Sequence, residues 1–158
     1  MEKLDVRFVR LPPYQVASAH AYSAQPEFQA WSTLMEWALP KGLLDSARGA
    51  RLFGFDNPIP SAGSPNYGYE FWLTVDESVQ PEDPIQIKHF PGGYFAVTRV
   101  TGAQNIFNTW QALVTWCENS PHHMVDNQCL EEHIGPLSID KIDEEKLTLD
   151  LYLPIAEP

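Results

Sequence analysis

The chain has 158 residues, a length that suits one domain or two small halves sharing a core. Its 21 acidic and 10 basic side chains leave a net charge of −11, which repels phosphate backbones and disfavours direct nucleic-acid binding. Hydrophobic residues make up 44% and charged residues 20%, globular proportions that argue against wholesale disorder, and no apolar run reaches the roughly 20 residues of a membrane helix.

The opening Met1-Glu2-Lys3-Leu4-Asp5 lacks the apolar core of a signal peptide. Cys117 and Cys129 have no CxxC spacing and make no disulfide framework, so a reduced, cytoplasmic setting is expected. The aromatic content is higher: five Trp, six Tyr and eight Phe supply both core and pocket-lining surfaces.

In chain order, Val6–Val9 and Tyr14–Tyr22 read as strands separated by the Pro12-Pro13 break. A helix follows. Pro26 and Glu27 suit its first turn, Phe28, Trp31, Leu34, Met35 and Ala38 share one face, and Pro40 and Gly42 end it. Arg51–Phe55 and Tyr67–Val75 read as two further strands, joined by a proline-rich connector from Asn57 to Pro65. The same order then returns. Ile85–Ile87 and Tyr94–Val100 flank the Pro91-Gly92-Gly93 turn, a helix runs from about Asn105 to Glu118, and Gln128–His133 and Leu147–Ile155 close the chain. Asp140 to Lys146 reads as a charged, solvated turn.

The return is a repeat. Shifted by 79 residues, positions 5–38 fall on 84–117 with eight identities, including Phe28 on Phe107, Trp31 on Trp110 and Trp37 on Trp116. Later segments match with small shifts: Asn57-Pro58 answers Gly135-Pro136 at 78, and Glu70–Leu73 answers Asp150–Leu153 at 80. The expected fold is therefore α+β, two βαββ halves at 4–79 and 80–156 related by a pseudo-twofold axis. Antiparallel strands carry the helices on one face, and a central cleft forms where the halves meet. Clefts of that kind are where ligand sites concentrate.

The pattern resembles the GyrI-like small-molecule-binding domain, also called the AraC-type or transcription-activator effector-binding domain. The resemblance is carried by Phe8–Ala17, by Trp31-(x)2-Leu34-(x)2-Trp37 and by Tyr67–Val75. It continues through Pro91–Val97, Leu130-Glu131-Glu132-His133 and Leu149–Ile155. It implies two SHS2-type βαββ modules forming one pocket for lipophilic, often cationic compounds, with no cofactor and no metal. Some relatives are sensor ends of transcription regulators, some sequester toxic molecules or gyrase, and some hydrolyse strained cyclopropanoid genotoxins. With the domain starting at about residue 4, no DNA-binding unit is expected before it.

The resemblance assigns the pocket glutamate to Glu131. At the 78-residue shift Glu131 and His133 fall on Phe53 and Phe55, so an acid stands where the first half carries an aromatic ring. Strand alternation places Tyr67, Tyr69, Phe71, Leu73 and Val75 toward the helix, and Glu70, Trp72 and Thr74 on the opposite face. Glu70 with Trp72, and Asp150 with Tyr152, then put acids and aromatic rings on equivalent faces, a combination suited to an organic cation. Tyr69 reaches the cleft only through a bulge. The tryptophans at helical spacing read as core, with Trp110 also able to border the pocket. Tyr14 and Tyr94 either rim the cleft or cap a sheet edge. His122-His123 reads as a surface loop, because nothing supplies a third metal ligand at a recognised spacing.

Three functions are expected to compete. The first is a binding module that captures a lipophilic cation against Glu131. The second is a cofactor-independent hydrolase using Glu131 as general acid or base. The third is an interaction protein whose partner is a regulator or gyrase.

Overall fold

The computed structural model describes residues 4–138, 140 and 143–158. Of the charged turn expected at 140–146, Lys141 and Ile142 lie outside the described residues. The fold is α+β, with eight strands and two helices among the described residues. In chain order these are β1 (Arg7–Leu11), β2 (Tyr14–Ser23), α1 (Pro26–Ala38), β3 (Leu52–Asp56), β4 (Tyr67–Val75), β5 (Gln86–Phe90), β6 (Gly93–Thr101), α2 (Ile106–Glu118), β7 (Leu130–His133) and β8 (Thr148–Pro154). No helix among the described residues is long and apolar enough to cross a membrane.

The chain divides into two compact units. One holds residues 4–13, 91–134 and 143–158, with antiparallel strands in the order β1-β6-β8-β7 and α2 on one face. The other holds 14–90 together with 135–138 and 140, with antiparallel strands in the order β5-β2-β4-β3 and α1 on one face. The strand order and the helix placement are the same in both. The units are not cut at residue 79, because each takes its outer strand from the other sequence repeat: β1 pairs with β6, and β5 pairs with β2.

Helix α1 begins at Pro26, whose missing N–H is not needed at a first helical position, and Gly42 follows with a left-handed φ of 71°. It buries Ala30, Trp31, Leu34, Met35 and Ala38. The Trp31 ring meets Phe71 of β4 edge-on with centroids 5.6 Å apart. Each such large side chain contributes about 1.5–3 kcal/mol on burial. Helix α2 does the same with Leu113 and Cys117, which pack against Ala96 and Val100 of β6, Leu149, Leu151 and Leu153 of β8, and Ile155 just beyond it. Trp110 and Trp116 border this core half-buried.

Candidate functional site

Strand alternation and the cross-strand register fix which side chains face away from each helix. In the unit that carries α1, Phe53 stands opposite Trp72 and Phe55 opposite Glu70, while Trp72 is opposite Ser18. Lys88 and Phe90 join from β5, opposite Val16 and Tyr14. The face is aromatic around one acid. Trp72 meets Phe55 edge-on at 4.7 Å and Phe90 at 5.6 Å, and Tyr14 lies 6.3 Å from Phe53. The Tyr14 hydroxyl accepts a hydrogen bond from Arg51, whose guanidinium lies 5.3 Å from the centre of the Phe53 ring.

Glu70 is 2% exposed and accepts four hydrogen bonds. Ser18 Oγ, Trp72 Nε1 and Lys88 Nζ donate to its Oε2 at 2.7, 2.6 and 2.7 Å, and Asn57 Nδ2 donates to Oε1 at 3.0 Å. Burial pushes the carboxyl upward, but the bonds from Lys88, Ser18, Asn57 and Trp72 outweigh it and hold Glu70 below its ordinary value.

In the unit that carries α2, the face away from the helix holds Phe95, Val97, Leu130, Glu132, Asp150 and Tyr152. Tyr152 Oη donates to Glu132 Oε1 at 2.6 Å, and its ring meets Phe95 edge-on at 5.6 Å. Tyr152 is 1% exposed and Glu132 7%. Asp150, opposite Glu132 in the register, accepts from Arg99 Nε and Nη2 at 2.8 and 3.2 Å and from Arg7 Nη2 at 2.6 Å. Burial raises its carboxyl and the two guanidiniums more than reverse that, leaving it below the ordinary value.

The candidate residues thus divide between faces. Tyr14, Phe53, Phe55, Glu70 and Trp72 come together on the helix-free face of one unit, and Tyr152 stands on the helix-free face of the other. Glu131 does not join Tyr152. It pairs with Leu151, a core residue beneath α2, and its Oε2 accepts from Trp110 Nε1 at 2.8 Å. His133, opposite Leu149, shares that helix-side face. The acid on the opposite face is Glu132. Glu132 faces Asp150 as Phe55 faces Glu70, a displacement of 77 residues rather than 78, and one residue of slip reverses the face of every side chain in a strand.

Tyr94 also lies on the helix side, packed against the α2 core with its ring stacked on Phe8 and Arg10 over it. Tyr69 lies against Phe71 and Gly54 beneath α1 in a register with no bulge. Glu132, Lys88, Phe90 and Phe95 were not singled out by sequence. The signal for Glu132 was present in the doublet Glu131-Glu132, but only pairing with β8 decides between its members. His122 and His123 lie in the loop between α2 and β7, where the His122 ring stacks on Trp116 at 5.7 Å and meets Phe8 at 4.9 Å. An open groove of about 650 Å³ lies elsewhere, among the loops carrying Lys41, Arg48, Asp76 and Glu82. Its Lys41–Glu82 charges are already paired at 3.0 Å, and it contains none of the aromatic–carboxylate faces.

A βαββ module completed by an outer fourth strand, with a buried acid beside aromatic rings and present twice, is the architecture of an effector-binding domain. Residues 7–155 match the family model of Cass2, the integron-associated effector binding proteins, and the chain belongs to that family. It is a small-molecule-binding family, and the GyrI-like resemblance of the sequence holds. The fold is similar to the C-terminal domain of EcmrR (TM-score 0.71, 15% identity, 98% of this chain and 99% of that one). Against the EcmrR chain in its DNA complex the values are 0.71 and 16%, and the chain spans 58% of that relative's length. A hydrolase from Listeria innocua is similar at TM-score 0.67 and 12% identity, over 99% of this chain and 94% of that one. SAV2435 bound to tetraphenylphosphonium is similar at 0.58 and 10%, over 97% and 94%. Comparison with curated protein sequences gives no match.

Proposed function

We propose that this chain captures lipophilic organic cations and that Glu132, rather than Glu131, is the carboxylate that meets their charge. The observation that carries this reading is the Glu132–Tyr152 pair, a nearly inaccessible carboxylate held by a phenol at 2.6 Å within an aromatic wall. Buried carboxylates beside aromatic rings are a recurrent feature of ligand-binding sites. A delocalised cation with phenyl groups supplies both the charge and the apolar surface such a wall accepts. Tetraphenylphosphonium, the compound bound to SAV2435, is a ligand of this class.

Because Tyr152 and Phe95 are closed to solvent, a ligand enters only when these rings shift. Part of its binding energy is spent on opening, so affinity rises in variants that favour the open form. The test is calorimetric titration of the intact chain with tetraphenylphosphonium and with the neutral triphenylphosphine oxide. Glu132→Gln is expected to weaken the cation roughly tenfold or more and to leave the neutral compound within about twofold. Equal losses for both compounds overturn the electrostatic role.

A further inference from the structure

We propose that the chain carries a second cation site, formed by Glu70, Trp72, Phe55 and Phe90, which Lys88 occupies from within and which a small ammonium-bearing ligand takes by displacing the Lys88 Nζ. The inference rests on the unit that carries α1 and does not depend on Glu132.

The four donors to Glu70 are not alike. Ser18 and Trp72 donate from β2 and β4, inside the sheet, one from a short hydroxyl and the other from a rigid indole, and Asn57 follows β3 directly. Lys88 instead reaches Glu70 from β5, the outermost strand, on a flexible four-carbon stem, and its side chain is 39% exposed while Glu70 is 2% exposed. It is therefore the member of the set whose own charge can return to water, and a ligand ammonium that takes its place restores the ion pair to the buried carboxylate. When Lys88 leaves, Ser18, Asn57 and Trp72 still donate to the carboxylate and keep it aimed at the vacated position. The walls suit a replacement cation: the Trp72 ring lies beside that carboxylate, with Phe55 4.7 Å and Phe90 5.6 Å from it. Aromatic faces and an ionised acid together recognise an ammonium group.

The other unit shows by contrast what a locked acid is like. Asp150 is held by a two-pronged Arg99 guanidinium and by Arg7 as well. Planar forks of that kind are pre-organised and exchange poorly, whereas a lysine ammonium is a point charge that another ammonium reproduces. The exchangeable ion pair is therefore at Glu70. A primary ammonium on a compact aromatic body fits it best, since its N–H groups replace those of Lys88.

The probe is benzylammonium, titrated into the full chain by calorimetry. Lys88→Met is expected to raise its affinity at least tenfold, and adding Glu70→Gln to Lys88→Met is expected to remove the gain. Glu132→Gln is expected to leave benzylammonium binding unchanged even where it abolishes tetraphenylphosphonium binding, which separates this site from the one proposed above. An unchanged affinity in Lys88→Met overturns the proposal. A second measurement needs no change at Lys88. In the wild-type chain, millimolar benzylammonium is expected to shift the Trp72 indole N–H resonance, assigned by its loss in Trp72→Phe, whereas neutral benzyl alcohol leaves it in place. A Trp72 resonance that responds to both compounds or to neither overturns it equally.

Discussion

Glu70→Gln isolates the charge at the centre of the helix-free face of the α1 unit. Glutamine keeps the shape and one acceptor oxygen, so Ser18 and Trp72 retain a neutral partner, while the ion pair with Lys88 at 2.7 Å is lost. Removing one member of a fully buried pair costs about 3–5 kcal/mol. Here the ammonium stands on a side chain that is 39% exposed and falls back to water, which lowers the figure to about 2–3 kcal/mol. For a chain of this length that corresponds to a melting temperature lower by about 4–12 °C. The pH dependence carries a definite sign. The Glu70 carboxyl lies below its ordinary value of 4.5, so its contribution is complete above that pH and is lost as the pH falls through the depressed value. Urea unfolding followed by tryptophan fluorescence at pH 7, 4.5 and 3 measures both effects. The wild type is expected to exceed Glu70→Gln in stability at neutral pH, with the gap narrowing in acid. Equal stability at pH 7, or a gap that does not change down to pH 3, refutes the reasoning.

Other consequences are equally direct. A Cβ at Gly68 would overlap the carbonyl oxygen of Asn57, a backbone atom with nowhere to move, so Gly68→Ala is expected to cost more than about 3 kcal/mol by chemical denaturation. Gly63 has a φ of 82° and open space around it, so Gly63→Ala is expected to cost only about 1 kcal/mol in the same assay. Trp110→Phe removes the indole donor to Glu131, and a loss of about 1 kcal/mol in stability with unchanged tetraphenylphosphonium affinity is expected.

Much of the fold is legible in the sequence because its signals are local. The alternation of Tyr67–Val75 places β4 and both of its faces, and Pro26, Gly42 and the apolar stripe between them place α1. Glu70 and Trp72 follow from that alternation, whereas Phe53 and Phe55 enter through the 78-residue match to Glu131 and His133, which the register replaces by 77. What is not legible depends on register. Nothing local to Leu130–His133 states whether Glu131 or Glu132 stands beside Tyr152, because the segment is four residues long and carries acids on both faces. Tyr94 differs from this case: at the repeat shift of 79 it answers Gln15, not Tyr14, so the repeat already sets the two tyrosines on opposite faces. The exchange of β1 and β5 is invisible too, since an outer strand reads alike whichever sheet it joins. Lys88 carries no local mark of its role, because only that pairing brings it to Glu70.

In the function proposed here, the ligand's charge is met by Glu132 and not by its neighbour. Parallel titration of tetraphenylphosphonium into Glu131→Gln and Glu132→Gln tests it, since the two variants change the same charge one residue apart. Glu131→Gln is expected to bind within about threefold of wild type and Glu132→Gln to lose roughly tenfold or more. The reverse pattern, or equal losses in both, contradicts it.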